Sequence, residues 1–496
     1  MAKRKSQYRK WMAGAAIAAL AFPMQVQADT LREALVNAYL TNPTLAAARA
    51  QQRATDETVP IAKADGRPNV TNQTNYTEFL KQSRTSFTSP ERQLTSGVQL
   101  SVPVYSGGSV RNNVRAAKER VQAGQANLRG TESALFSNVV AAYMDVIRDQ
   151  AVVSLNAQNV RVLETNLQAT SDRFEIGDLT RTDIAQSDSR LAIARSDLQS
   201  AAANLIRSKE VYIQLVGNPP GGLEAPPPLP NLPGSPDAAV TIALESNPDL
   251  IAAREDIEAS RYDIRSANGT KLPRVSVFAN GGYSNFLKSL QNVGPDGIPN
   301  TNDDFGQSFA QTTADAGVRL TVPLYQGGLP SARVRQSQAR YSAALEQAIA
   351  VERNVVAQTR AAYSSWRASL QVIESSQQAV EASALSLEGV RAENSVGNRT
   401  ILDILNAEQE LLRAQVQLVT ARRNAYVAGF TLLAAMGRAE ARDLGLDGGV
   451  LYDPQDNYDR VDGKWNDWSR DPLPEPVSTR TVDTPAQTAT MGPVDE

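Results

Sequence analysis

The chain has no cysteine and no histidine among its 496 residues. Without thiols there are no disulfides, no thiolate metal sites, no cysteine nucleophile and no lipid anchor on an N-terminal cysteine. Without imidazole there is no histidine base and no histidine-ligated metal, which removes the groups most enzymes rely on at neutral pH. Aromatic residues are only 6%. No internal stretch reaches the roughly 18 apolar residues of a transmembrane helix. The long segments intersperse both signs of charge without a basic block, so nothing suggests nucleic acid. No catalytic or cofactor motif is present, and the expectation is a non-enzyme without cofactor or metal.

The chain opens on "MAKRKSQYRKWMAGAAIAALAFPMQVQA". Lys3, Arg4, Lys5, Arg9 and Lys10 form a basic n-region, Met12 to Phe22 a short apolar core, and Val26-Gln27-Ala28 a small-residue cleavage site. This reads as a secretory signal over 1–28; the alternative is a membrane anchor, for which the run is short. Cleavage removes five of 50 basic residues and none of the 53 acidic ones, changing the net charge from −3 to −8.

What remains is a duplication. A shift of 220 aligns "VQLSVPVYSGG" with "VRLTVPLYQGG", Ala141-Ala142-Tyr143 with Ala361-Ala362-Tyr363, Gly177 with Gly397 and Asp183-Ile184 with Asp403-Ile404. Upstream the shift is 205, where "NPTLAAAR" at Asn42 matches "NPDLIAAR" at Asn247. The second copy therefore carries 15 extra residues, which fall in "GPDGIPNTNDDFG". The period is too long for a solenoid. The expected organisation is a first repeat over 29–217, a Pro/Gly-rich linker over 218–236 and a second repeat over 237–440. An acidic segment follows over 441–470, then a disordered tail over 471–496.

Before each Gly-Gly pair the pattern has period two. Val98, Leu100, Val102 and Val104 oppose Gln99 and Ser101; Ala314, Ala316, Val318, Leu320, Val322 and Leu324 oppose Thr313, Asp315, Gly317, Arg319 and Thr321. Such runs fit transmembrane β-strands and equally a half-buried soluble sheet. Partner strands are expected near Asn69–Leu80 and Arg274–Phe286, one hairpin per half. Four strands cannot close a barrel, for which about eight is the minimum, so a membrane reading requires several chains.

After each Gly-Gly pair the period changes to seven. Val114, Val121, Leu128 and Leu135, then after a four-residue step Val139, Val146, Val153, Val160 and Leu167, stripe one long helix. Val334, Tyr341, Ala348, Val355, Thr359, Trp366, Ile373, Val380 and Leu387 repeat the pattern. Sustained heptads with a stutter predict coiled-coil packing over about 100 Å. Breaks at Gly177 and Gly397 precede second helices striped by Ile184, Leu191, Leu198, Leu205 and Tyr212, and by Ile404, Leu411, Leu418, Ala425 and Leu432. The fold class is mainly α with β: duplicated strand hairpins fused to long antiparallel coiled-coil helices. At the seams, Pro103 and Pro323 lack a ladder N–H, and Gly107, Gly108, Gly327 and Gly328 let the backbone turn.

"LTVPLYQGGLPSARVRQSQA", "SVGNRTILDIL" and "IGDLTRTDIAQSDSRL" resemble the signatures of the TolC family of outer-membrane exit ducts. The resemblance covers roughly residues 30–440. It implies a homotrimer in the outer membrane, in contact with outer-membrane lipid and extending into the periplasm. One shared twelve-stranded β-barrel would continue into an α-helical barrel. A periplasmic adaptor and an inner-membrane pump of ABC, RND or MFS type would dock at the far end, for efflux or type I protein secretion. It also implies a gate at the helix tips: Arg399 takes the family's arginine position, Thr182 and Asp183 its Thr-Asp position, and Asp403 the first of two acidic positions. The second is Asn406, and the family's tyrosine position is Asn394. The plainer alternative for these charges is solvated turn residues. The plainer alternative for the whole chain is an envelope coiled coil without a channel. Asp296, Gly297, Asn300, Asn302, Asp303 and Asp304 in the insertion suggest calcium only faintly, against a polar hairpin loop. The tail stretch "LYDPQDNYDRVDGKWNDW" is placed at the tunnel's equator by the resemblance alone.

Overall fold

The computed structural model describes residues 30–81, 90–230, 232–292, 294–298, 301–307, 309–446 and 451–489. The signal segment 1–28, Asn300 of the insertion, residues 447–450 and the last seven residues lie outside them. Four strands form one antiparallel sheet in the order β1 (Asn69–Glu78), β2 (Arg92–Ser106), β3 (Arg274–Asn285) and β6 (Ala310–Thr321). The two short strands β4 (Leu290–Asn292) and β5 (Phe305–Gln307) flank the insertion.

Register sorts the sheet into two faces. Val70, Leu100, Ala279 and Ala316 stand in one cross-strand row, and Asn72, Val98, Gly281 and Ala314 in the row two residues along. The rows between them are Thr71, Gln99, Asn280 and Asp315, then Gln73, Gly97, Gly282 and Thr313. The polar rows line a groove of about 530 Å³, and Asn280 donates to Asp315 at 2.9 Å. The opposite face leaves Val70, Val98, Val318 and Leu320 exposed. Alternation of this kind, apolar outside and polar within, is what a barrel wall between lipid and water needs. Among the described residues no helix is long and apolar enough to cross a membrane.

The long helices are α4 (Ser109–Glu175) and α8 (Leu329–Ser395), each 67 residues. They turn back into α5 (Arg181–Val216) and α9 (Ile401–Ala435). Short helices precede each strand hairpin: α1 (Leu31–Thr41), α2 (Pro43–Asp56) and α3 (Thr58–Ala64), and in the second half α6 (Pro236–Ser246) and α7 (Pro248–Gly269). The sequence reading aligned these segments but did not assign them a place. They extend the returning helices. The side chain of Asn42 accepts from the N–H groups of Thr44 and Leu45 and donates to Leu215 O at 2.9 Å. Asn247 does the same for Asp249 and Leu250, and donates to Ala435 O at 3.0 Å. One amide thus caps the start of one helix and satisfies a carbonyl at the end of another. α5 is spliced end to end onto α2–α3, and α9 onto α7. Gly437 has φ 71°, and a Cβ there would lie 2.3 Å from Ser246 O, so the splice needs glycine.

The core lies at the level of these splices, where Tyr39, Phe136, Val139, Tyr143, Leu205, Tyr212, Phe430 and Leu432 are buried together. α4 has α5 and α2–α3 on one side and α9 and α7 on the other; α8 packs on α9 and α7. The linker crosses this level. The repeat-equivalent Tyr143 and Tyr363 donate to Glu224 O and Gly234 O at 2.7 and 2.8 Å, and Tyr426 donates to Pro227 O. The acidic segment forms α10 (Pro454–Asp462) against the first repeat: Asn457 donates to Asp56, Lys63 pairs with Asp462, and Arg67 stacks on Trp465. Residues 471–489 run as coil, with Thr488 O and the Gln487 N–H bonded to Lys209 and Glu210 of α5.

Where strand becomes helix, Gly107 and Gly108 have φ of 64° and 77°, and Gly327 and Gly328 have 61° and 82°. Pro103 sits inside β2, followed by a bulge before Tyr105, whereas β6 stops two residues short of Pro323. In the insertion Asp303 accepts from the Asp296 N–H and the Thr301 hydroxyl, and Asp304 from the N–H groups of Gly294 and Thr301. Its carboxylates thus brace the loop itself.

The splice amides give a direct test. Asn247→Ala removes a cap and leaves a part-buried carbonyl without its partner, a loss of about 2 kcal/mol. The expected result is a lower thermal unfolding midpoint in detergent, with Asn247→Asp intermediate because it keeps only the acceptor half.

Candidate functional site: the hairpin tips

Each long helix ends in a five-residue turn, 176–180 and 396–400. The two turns share one geometry. Gly177 and Gly397 have φ of 83° and 82° and donate to Phe174 O and Asn394 O; Asp178 and Asn398 donate to Arg173 O and Glu393 O. The next helix starts with a capping box in both. The Thr180 N–H and hydroxyl donate to Asp183 Oδ2 at 2.8 and 2.7 Å. The Thr400 N–H and hydroxyl donate to Asp403 Oδ2 at 2.9 and 2.8 Å. Both acids sit at the positive end of a helix dipole, where anions are favoured. The hydrogen bonds from Thr180 hold the Asp183 carboxyl below the usual range, and those from Thr400 do the same for Asp403. The caps therefore contribute fully above the unfolded carboxylate pKa of about 3.9 and are lost only as pH falls through the lowered folded values.

The charges differ between tips. In the first, Arg173 pairs with Asp178 at 2.7 Å. In the second, Glu393 occupies the position equivalent to Arg173, and Arg399 pairs with it at 2.7 Å. Arg399 and Glu393 are both about half exposed. Glu393 first, then Asp403, holds the Arg399 guanidinium charged. Asn394 donates to Arg399 O at 2.7 Å and closes the turn. Thr182 is exposed in the first turn of α5. Within one chain Arg399 therefore meets Glu393 of its own tip, while Thr182 and Asp183 belong to the other hairpin.

The two hairpins are fastened together just above the tips by polar residues of which the sequence reading named only Asn406. Arg190 donates to Gln409 at 2.6 Å and to Asn406 at 2.9 Å. Glu408 is buried, accepts two bonds from Asn166 at 3.0 and 2.9 Å, and pairs with Arg391 at 3.0 Å. Leu405 packs beside it on Val160, Leu163, Leu191 and Ala194. The heptad stripe marked Ile404 and Leu411; the face carrying Leu405 and Glu408 faces the other hairpin and follows a different three-residue step. Asn406 carries no charge, so its link to Arg190 is a charge–amide hydrogen bond and not an ion pair.

A family model described as "Outer membrane efflux protein" matches residues 34–218 and 239–438, interrupted at the linker. The outer membrane efflux protein BepC of Brucella suis biovar 1 (strain 1330) is 33% identical over 437 residues, which is 88% of this chain and 91% of that protein. The outer membrane protein TolC of Escherichia coli (strain K12) is 26% identical over 430 residues, 84% of each. Among solved structures, the CmeC outer membrane channel of Campylobacter jejuni superimposes with a TM-score of 0.70 at 14% identity, covering 87% of this chain and 89% of that one.

Removing the second cap tests how far the tip depends on it. Thr400→Ala is expected to cost about 1 kcal/mol locally. Amide exchange over 397–404 should rise roughly fivefold, with the core unchanged. The wild-type tip should keep its protection when the pH is lowered to about 5, above the range in which these acids protonate.

Proposed function

The chain belongs to the outer membrane efflux protein family, and from that premise we propose how its hairpin tips open and close it. The protein is a passive outer-membrane exit channel and not an enzyme. Channels of this family are trimers that work with an adaptor protein and an inner-membrane pump. The observation that carries the channel reading is the sheet, wet on one face and apolar on the other, with two unpaired edges. An envelope coiled coil has no use for such a surface. Three copies bring twelve strands, enough to close a water-filled barrel, and the helices continue the passage below it.

In the trimer the six repeat-equivalent acids Asp183 and Asp403 lie near one constriction. Arg399 has two classes of partner there: Glu393 of its own turn, and Thr182 with Asp183 of a neighbouring hairpin. The first is the released state and the second the locked one. Exposed ion pairs of either kind contribute only ~0–1 kcal/mol, so the two states are close in energy. A docking partner with a modest preference for the released tips shifts all three chains together. The Asp403 ring attracts cations and repels anions.

Single-channel recording in a planar bilayer tests the lock in both directions. Arg399→Ser removes the locked state, and its conductance should rise several-fold. Glu393→Gln removes the competing partner and should lower the open probability. Equal conductance in all three correctly assembled trimers would falsify the exchange.

Asp403→Asn keeps an acceptor for Thr400 while removing the charge. Block by multivalent cations from the periplasmic side should weaken at least tenfold. Unchanged block would show that the cation preference lies elsewhere.

A further inference from the structure

Just below the joint between strands and helices, three arginines surround one tyrosine. The guanidinium carbons of Arg115 on α4 and of Arg261 and Arg265 on α7 lie 5.6, 5.9 and 5.3 Å from the centroid of the Tyr262 ring. Arg261 also pairs with Glu258 at 2.7 Å. Among the described residues Arg115 and Arg265 take part in no ion pair. Three like charges are thus gathered round one ring with a single carboxylate, an arrangement that repels itself until a further anion joins it. The architecture does not require it. At the shift of 205 the first repeat has Pro60, Glu57 and Asp56 where α7 has Arg265, Tyr262 and Arg261.

Helix geometry says which way the cluster faces. α4 meets α3 through Ala117 and Val121, which pack with Val59. It meets α7 through Ser109, Asn113 and Arg120, which reach Ser266 and Asp263. At 3.6 residues per turn these two contact lines stand about 100° apart round the helix. Arg115 points into the middle of the remaining wide arc, with Arg111 and Lys118 beside it. In a closed ring of staves the narrow arc faces the lumen and the wide arc faces outward. α7 agrees: Arg261, Tyr262 and Arg265 fall on one side of its contact line through Ala252, Ala259 and Ser266, and Asp263 falls on the other. The arginine cluster is therefore on the outer surface, and the Arg120–Asp263 pair is on the inner one.

Its height is that of a lipid headgroup. The apolar face of the sheet ends at Val104 and Tyr105, 64% and 49% exposed, and tyrosine favours the boundary between bilayer and water. The backbones of Gly107 and Gly269 meet at this level, a Cβ on Gly269 falling 2.7 Å from Gly107 O. At 1.5 Å per residue, Arg111 and Arg265 stand about 5–6 Å below the joint and Arg115 and Arg261 about 10–12 Å. The acids Glu258, Glu119 and Glu255 follow only at about 17–21 Å. A headgroup layer is about 5–8 Å deep, and an arginine side chain reaches up to it by laying its stem along the helix. Positive charge next to the bilayer and negative charge farther away is the order that an anionic surface favours. We propose that this cluster binds the anionic headgroup of a phospholipid in the periplasmic leaflet. The guanidinium forks of Arg115 and Arg265 take the phosphate oxygens, and each chain contributes one site to a collar beneath the barrel.

The test uses the purified full-length trimer in a neutral detergent. Native mass spectrometry titrates the lipid retained, and thermal dissociation of the trimer reads its effect. Cardiolipin and phosphatidylglycerol are expected to bind and to raise the dissociation temperature by several degrees; phosphatidylcholine and soluble glycerol 3-phosphate at equal concentration are not. Arg115→Gln with Arg265→Gln should weaken the binding of cardiolipin about tenfold. Arg120→Gln with Arg161→Gln removes the same charge from the lumen side and from lower on α4, and should bind as wild type does. Wild-type affinity in a folded Arg115→Gln/Arg265→Gln trimer overturns the proposal. An equal loss in both double variants also overturns it, because the attraction is then one of net charge and not of a site. Equal retention of phosphatidylcholine rules out a charged headgroup, and glycerol 3-phosphate binding as tightly as the lipids rules out a lipid one. Should the double variant fail to assemble, Arg265→Gln alone alters one exposed side chain and should cost about threefold; no loss in that trimer counts equally against the site.

Discussion

A backbone N–H or C=O in hydrocarbon has no water to bond to, and the rest of this architecture depends on meeting that constraint. The main sheet of one chain has four strands and, among the described residues, leaves the outer edges of β1 and β6 bare. Those edges are intolerable in a bilayer unless other copies cover them, so closure comes before function. Closure also creates a second geometric demand. Neighbouring strands lie about 4.8 Å apart and packed helices about 8–10 Å. Each chain presents four strands above four helical staves, so the two rings cannot share a circumference without a change of direction. The paired glycines, all at positive φ, sit where that change occurs.

Much of the fold was legible because it is periodic. Period two located β2 and β6, with β1 and β3 expected ahead of them as partner strands, and period seven located α4 and α8, whose first residues directly follow each Gly-Gly pair. The duplication was legible because its shift is constant over long stretches. The short helices were not placed, because their part in the fold is tertiary. Nothing local says that α2 will sit on the end of α5, although Asn before Pro at positions 42 and 247 is a helix-start signal. The pairing of Arg190 with Asn406 and Gln409 was invisible for the same reason: it joins residues more than two hundred positions apart.

The tips show how a duplicated site acquires asymmetry. Both keep the glycine turn and the Thr–Asp capping box, since a helix reversing direction needs a positive-φ residue and a satisfied N-terminus. The side chains that backbone geometry leaves unconstrained have diverged. Arg173 and Asp178 in one turn stand against Glu393 and Arg399 in the other, with the order of charges reversed. The two tips of one chain thus carry the same kind of ion pair with its charges in opposite order along the chain.

The splices at Asn42 and Asn247 have a mechanical consequence. Half of the staves are covalently continuous from tip to membrane, through α4 and α8. The other half are interrupted midway and joined by amide hydrogen bonds. Torque applied at the periplasmic end is transmitted along two members per chain, while the spliced members can slip or hinge at mid-height. The wall acts as a frame of rigid rods alternating with jointed ones. Such a frame can untwist at its lower rim while the ring in the membrane keeps its diameter.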